Sequence, residues 1–310
     1  IGFKAVHAAG FSGVQKVDTV LLDAMEEYND VLPAHNPPYV RAMRLLAEKL
    51  PDIPLIAAFE TDFHQTIPDR HRYFGVPFEW AENFGIKRWG FHGASHRYIA
   101  GRSAELLNRN DLKIISMHLG GSSSLCAINS GKSVAASMGT SPQTGLFHNN
   151  RVGDFDPFVI PYLMRKAGKT HHEILHILAE QSGLLGLSGV SGDLRDVMEA
   201  AQQGNSQARL ACEVLVGSIR NYLGAYLVEL GGADVLVFTG GIGEHNGFIR
   251  SKVCENLSPL GIILDEAKNG EAAGTEAAIH CSGSKTQIWT IPTNEELVVA
   301  RQVQEKIRER

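Results

Sequence analysis

Three stretches of the chain carry residues whose types and spacing suit phosphate chemistry. In residues 114–128 an apolar run, Ile114-Ile115-Ser116-Met117-His118-Leu119, enters Gly120-Gly121-Ser122-Ser123-Ser124 before a second apolar run through Ile128. That order predicts strand, tight turn, strand. Glycines admit a ligand close to the backbone, and the N–H groups and hydroxyls of such a turn point at an anion, for which phosphate is the best fit. An ordinary Gly-rich hairpin has the same composition, so this turn alone does not decide the matter. Residues 235–244, Val-Leu-Val-Phe-Thr-Gly-Gly-Ile-Gly-Glu, read as a buried strand running into a second Gly-rich turn, with a periodic segment starting near Asn246. Between the two lies a polar loop, 149–157, holding one arginine, Arg151, among Asp154 and Asp156. Two glycine turns with an arginine loop between them suggest a nucleotide cleft.

These stretches resemble motifs of the acetate kinase family. Residues 114–128 resemble its second phosphate motif and 235–244 its adenosine motif. Residues 58–68 (Ala-Phe-Glu-Thr-Asp-Phe-His-Gln-Thr-Ile-Pro), 89–98, 182–189 and 291–297 resemble four more family blocks, in the family's order and over nearly the whole chain. The resemblance implies an α/β, two-lobed actin-like ATPase (ribonuclease H-like) fold of the superfamily of acetate and sugar kinases, chaperone ATPases and actin. Residues 1–62 with 293–310 would form what remains of the first lobe and 63–292 the nucleotide-binding lobe, the two closing over the ligands. The implied reaction is ATP plus a short carboxylate giving ADP plus an acyl phosphate, reversibly and with magnesium, in a homodimer.

Acyl phosphate formation asks for Arg, Lys, His and a metal-binding carboxylate rather than a Ser or Cys nucleophile, because the protein mainly neutralises charge and positions reactants. By resemblance Arg151 matches a catalytic arginine, whose planar guanidinium suits a trigonal phosphoryl group in flight; a surface ion pair with Asp154 or Asp156 is the competing reading. His92 and His118 match active-site histidines able to hydrogen-bond the phosphoryl, against the commoner fate of a core histidine. His92 and His96 stand at a zinc-compatible spacing, but no Cys or Glu supports a zinc site. Glu60 falls where the family has an aspartate that handles magnesium or the acid. Glu295 matches a glutamate of the magnesium site, and an acid there also suits a helix N-terminus. His118, Leu119, Gly120, Gly121 and Ser122 would hold phosphate, and Gly240, Gly241, Ile242 and Gly243 the adenosine.

Three further positions depart from the family. Lys4 stands for an arginine and loses the bidentate fork that would grip the acid's carboxylate. Gly121 stands for an asparagine. The positions that line the acyl pocket fall on Val6, Ala34, Phe91 and Pro142, and Ala34 replaces a usual leucine; the space released predicts tolerance of propionate or butyrate, as a preference worth ~1–3 kcal/mol per methylene. The rival reading is a nucleotide-binding homologue with altered acid specificity or lost catalysis. The family opens with a strand and turn carrying an Asn, serines and a Lys for phosphate and magnesium. This chain begins at Ile1, after that point, which reads as a chain whose front end was removed. A protein truly starting there would have a first lobe with unpaired sheet edges and half a phosphate cradle.

The composition sets wider bounds. At 310 residues the chain can bury a large core and form one to two domains. A net charge of −5 argues against nucleic acid as a main partner, and the densest basic spot, Arg70-His71-Arg72, reads as a solvated loop. Cys126, Cys212, Cys254 and Cys281 are widely spaced with no C-x-x-C pair, which predicts no disulfide framework and a reducing, cytoplasmic compartment. No apolar run reaches the ~18 residues that span a membrane.

The elements that must position the chemistry alternate between strand and helix. Strands are predicted at 1–7, 53–59, 113–117, 125–128, 132–138, 235–238 and 287–292. Helices are predicted at 17–28, 39–50, 95–108 with Ser95 as N-cap, 158–167, 171–182, 193–203, 206–230, 245–257 and 294–308 capped by Asn294.

Overall fold

A computed structural model describes residues 1–309 and divides them into two compact units. The first comprises residues 1–116, 126–142 and 293–310; the second comprises 117–125 and 143–292.

In the first unit, strands β1 (Gly2–Ala5), β2 (Val14–Lys16) and β3 (Ile56–Phe59) form a sheet of order β1-β3-β2. β1 runs parallel to β3, with Lys4 opposite Ala58, and β2 runs antiparallel to it. Strand side chains alternate between faces, and here each face meets helices. Ala5, Ala57 and Phe59 pack with Leu21, Met25 and Met43 from helices Thr19–Glu26 and Asn36–Lys49. Ile56 and Ala58 pack with Val299 and Val303 of the closing helix Glu295–Arg308. Burying each such valine contributes about 1.5–3 kcal/mol. Gly2 permits the close approach, since a Cβ there would lie 2.8 Å from Val303 Cγ2. Strands β4 (Lys113–His118), β5 (Ser124–Asn129) and β6 (Lys132–Ala136) follow, β5 and β6 pairing antiparallel with Cys126 opposite Ala136.

The second unit holds β7 (Val235–Thr239), β8 (Ala277–Ala278) and β9 (Gln287–Thr290), with β7 parallel and β8 antiparallel to β9. All five residues of β7 are buried. Helix Ser206–Leu230 supports this unit with Leu215, Ile219 and Leu223 buried. Asn205 caps its start by accepting from Ala208 N, and Gly231 ends it in the left-handed region at φ 64°.

The helix 206–230 and the turn between β4 and β5 form as the sequence predicts, and Asn294 caps the closing helix by accepting from Leu297 N. Three expectations are corrected. The helix expected from Ser95 starts at Gly93, because the chain turns in at His92 with φ 55°; the Ser95 hydroxyl instead accepts from Thr293 Oγ1 at 2.9 Å. The second glycine turn is a short helix, Gly240–His245, and a separate helix, Gly247–Cys254, follows where one helix over 245–257 was expected. Val14–Lys16, read as a connection, is a strand because it satisfies the free edge of β3. The helix that continues through 39–50 opens in the proline turn at 33–38, as the sequence predicts, beginning at Asn36 with prolines in its first turn.

Among the described residues, no helix is long and apolar enough to cross a membrane.

Candidate active site

Half of the predicted residues gather in the first unit, and strand periodicity brings them together. Lys4 lies opposite Ala58, and Glu60 follows Ala58 by two residues, so both sit on the face covered by helix Glu295–Arg308. Glu295 is the first residue of that helix. Lys4 Nζ donates to Glu295 Oε2 at 2.5 Å and stands 3.8 Å from Glu60 Oε1.

Glu60 is buried, and neither carboxylate oxygen has a hydrogen-bond partner. Burial pushes its carboxyl up to about 7, a shift that Lys4 opposes and the Glu295 charge reinforces. The backbone amides of Ala94 and Gly93, at the start of helix Gly93–Leu107, pull the other way without closing a bond of ordinary geometry. For Lys4, burial works against the ammonium, but Glu60 and Glu295 outweigh it and raise its pKa. Gly93 is sterically required, since a Cβ there would stand 2.0 Å from the Glu60 carbonyl oxygen. A groove of about 1020 Å³ runs from this cluster along the closing helix, lined by Gly2, Lys4 and Glu295 at one end and by Val299, Val303 and Ile307 along its length.

The apolar neighbourhood of this half-site differs from the predicted one. Val6 and Phe91 share a buried cluster with Leu32 and Met138. Ala34 is exposed in the turn before helix Asn36–Lys49, and Pro142 is buried but outside that cluster. The leucine of the cluster is Leu32, two residues earlier, so the extra space inferred from Ala34 is not there. Phe91 is fixed by its carbonyl, which accepts from His64 Nε2 at 2.9 Å, while His64 Nδ1 bonds the Ser133 hydroxyl. His64 therefore carries its proton on Nε2, and burial pushes its pKa down to about 4. His92 occupies the half-buried left-handed position directly after Phe91.

The sequence reading missed His7. Its ring is 1% exposed, with centroids 4.8 Å from Tyr28 and from Trp89. Both ring nitrogens lack partners, and burial pushes the pKa down to about 3.

The other half gathers in the second unit. Arg151 Nη1 donates to Ser122 Oγ at 3.0 Å, which seats the guanidinium at the Gly-Ser turn. Burial lowers the Arg151 pKa, with Glu180 opposing. Ser123 N donates to His148 Nδ1 at 2.8 Å, so His148 is neutral and carries its proton on Nε2. Burial pushes His148 down to about 3, the Arg151 charge adds to this, and the Thr144 backbone opposes it. His148 was also missed; it adjoins the polar loop but falls one residue before it. Gly183 locks the loop from below, since its φ is +61° and a Cβ would meet the His148 carbonyl oxygen at 2.1 Å.

The two glycine motifs are bonded to each other. Leu119 N donates to Thr239 O, and the Leu119 carbonyl accepts from Ile242 N at 2.8 Å and Gly243 N at 3.1 Å. Gly240 needs its positive φ of +75°, and a Cβ there would lie 2.7 Å from Leu119 O; its N–H is held by Glu244 Oε1. Leu119, Gly240, Ile242 and Gly243 therefore shape the surface. Gly241 presents it, for a Cβ there would meet nothing within 4 Å. At Gly120 a Cβ would be 3.8 Å from His118 Nε2, which places that ring against the turn. Beside Gly121, Asn149 Nδ2 lies 3.2 Å from where a Cβ would be. A carboxamide from the neighbouring loop thus fills the space that an asparagine at 121 would enter.

The second unit therefore offers a turn shaped to meet an anion, and the first offers a buried carboxylate, Glu60, whose oxygens lack a hydrogen-bond partner. Those are the parts that phosphoryl transfer requires, and they define a phosphoryl-transfer class of α/β protein. Known proteins agree with this. The model of the acetokinase family matches residues 1–301. An acetate kinase of Anoxybacillus flavithermus is 43% identical over 306 residues, covering 98% of this chain and 77% of that protein. The crystal structure of a propionate kinase from Francisella tularensis superposes with a TM-score of 0.91 at 34% identity, covering 97% of this chain and 77% of that one. The crystal structure of Porphyromonas gingivalis acetate kinase gives 0.89 at 36% identity, with 97% and 76% covered. The chain belongs to the acetokinase family.

Proposed function

We propose that the protein transfers the γ-phosphoryl group of ATP to a short carboxylate, giving ADP and an acyl phosphate, in the presence of magnesium. The observation that carries this reading is the family match across both half-sites, with Arg151 held at the Gly-Ser turn and Lys4 held at the carboxylate pair. A carboxylate oxygen forms the new bond to phosphorus as the bond to the β-phosphate oxygen breaks. Arg151 neutralises the equatorial oxygens, with His118 and His92 as hydrogen-bond donors. The cradle of residues 118–122 and the surface at Gly241 hold the nucleotide. Val6 and Phe91, with Leu32 and Met138, give the acid's alkyl group an apolar wall. Lys4 meets the acid's carboxylate.

Magnesium suits the first half-site. Among the described residues no cluster of three or more His, Cys, Asp or Glu could hold a metal alone. Magnesium, however, binds through one or two carboxylates together with substrate phosphates. Glu60, buried and unpartnered, and Glu295 are the carboxylates for it. Bound there, the ion neutralises charge on the phosphate oxygens. A cytoplasmic homodimer completes the proposal by likeness to the family.

The test offers the protein ATP, magnesium and acids from acetate to butyrate, and traps acyl phosphate with hydroxylamine. Product with any of these acids supports the reading. Nucleotide binding without product from any acid, in folded protein, overturns it in favour of a binding protein with lost catalysis.

A further inference from the structure

The turn after β4 and the arginine loop meet residue by residue. Ser123 N donates to His148 Nδ1, Ser122 Oγ accepts from Arg151 Nη1, and the Gly121 carbonyl accepts from Asn149 N at 3.2 Å. Of the three loop residues, Arg151 brings charge and His148 braces the backbone. The side chain of Asn149 does neither. Its carboxamide reaches over Gly121, with Nδ2 at 3.2 Å and Cγ at 3.7 Å from where a Cβ would stand. Apart from chain neighbours, nothing else comes within 4 Å of that point.

The backbone of Asn149 is fixed on both sides. Its carbonyl accepts from Leu185 N at 2.8 Å. Gly192 backs the residue closely, since a Cβ there would lie 3.2 Å from the Asn149 carbonyl oxygen and 3.4 Å from its Cβ. The side-chain oxygen Oδ1 is turned inward, buried and without a partner, which leaves the amide nitrogen on the side of the turn. A buried carbonyl left unbonded is uncommon and costs stability. Here that cost accompanies an amide that faces an anion-shaped turn. A phosphate on the turn selects the same orientation, because only the NH₂ end of a carboxamide can donate.

We propose that Asn149 is a phosphate-binding residue: its Nδ2 donates a hydrogen bond to a phosphate oxygen of the nucleotide seated over Gly120 and Gly121. The arginine loop then supplies a neutral donor as well as the Arg151 charge. The donor reaches the turn from the facing loop, through the space that Gly121 leaves open. Because loop and turn are joined at three points, donor and guanidinium are set in register with each other. The inference rests on the reading that this turn holds phosphate, and it adds the residue that completes the cradle.

The test measures binding of ATP, ADP and adenosine to the protein by calorimetry, with magnesium present. Wild type is expected to bind ATP and ADP more tightly than adenosine. Asn149→Gly removes the amide and is expected to weaken ATP and ADP about tenfold, the usual effect of one hydrogen bond to a charged group, while adenosine binds as before. Asn149→Asp keeps the shape but sets an anion against the phosphate, and is expected to weaken ATP about 100-fold. A side chain that only filled space would treat Asp and Asn alike. A folded Asn149→Gly or Asn149→Asp protein that binds ATP like wild type therefore overturns the proposal. An equal loss of adenosine and ATP binding overturns it too, since the residue would then act on the whole pocket. Thermal melting checks that each variant folds; if Asn149→Gly does not, the isosteric Asn149→Asp decides alone. A wild type that binds adenosine as tightly as ATP removes the phosphate reading of the turn itself. A wild type that prefers ATP, with variants that keep this preference, removes only this inference.

Discussion

The two half-sites solve opposite problems. In the first unit, the Lys4 ammonium bonds Glu295 and stands 3.8 Å from Glu60, whose buried oxygens lack a hydrogen-bond partner. In the second, the Arg151 guanidinium bonds the Gly-Ser turn, whose backbone is braced by a neutral histidine, with Glu180 acting on the arginine from the side. The proposed reaction would bring a metal ion to the first and phosphate to the second. They also differ in how charge is held. The first uses a long, half-exposed side chain that can move. The second uses backbone locked by glycines and an arginine buried enough for its pKa to fall.

The largest expected effect separates the two jobs. Arg151→Ala should reduce acyl phosphate formation by about 10³-fold or more while the melting temperature stays near wild type. A fall confined to the KM for acid, with kcat intact, would break the comparison, because the second unit would then be handling the acid.

Next come the glycines that lock each half. Gly93→Ala forces a Cβ to 2.0 Å from the Glu60 carbonyl, and Gly183→Ala forces one to 2.1 Å from that of His148. Backbone meets backbone in both, so each should lose about 3 kcal/mol or more in urea unfolding. If either variant unfolds like wild type, its half-site is softer than described here.

Acid sharpens the comparison because each unit buries neutral histidine, His7 and His64 in the first and His148 in the second. The folded pKa values of His7 and His148, about 3, lie below the ordinary 6.5. The stability they contribute is therefore intact above pH 6.5 and is lost as pH falls toward 3. Each should cost about 2 kcal/mol between pH 6.5 and 5. His7→Phe should flatten that slope by one proton and leave the His148 share, as urea unfolding across this range would show. An unchanged slope would mean that His7 is protonated in the folded state.

The smallest effect is at Ala34. Because it is exposed and Leu32 fills the cluster, Ala34→Leu should change stability by less than about 0.5 kcal/mol and leave the preference among acetate, propionate and butyrate unaltered in the trapping assay. A clear shift toward acetate would return Ala34 to the pocket.

Legibility followed the range of the forces involved. Helix 206–230 was readable to the residue because Asn205, Gly231 and the apolar spacing are local signals. The glycine turn before Ser124 was readable for the same reason. Val14–Lys16 was not, because three residues carry no period and only the edge of β3 makes them a strand. Ser95 looked like a cap, but the turn at His92 is set by Gly93 closing on Glu60. Leu32 and Ala34 lie two residues apart in one turn, and only packing decides which is buried.

By itself the sequence determined the elements, their order and the family, since propensity, capping and motif spacing are written along the chain. It also supplied the charged residues of both half-sites. Tertiary structure decided what those charges do. Lys4 and Glu295 are 291 positions apart and 2.5 Å apart in space, and Glu60 is shifted by burial that no linear spacing encodes. Coulombic and desolvation energies depend on distance and on the surrounding medium, and folding sets both.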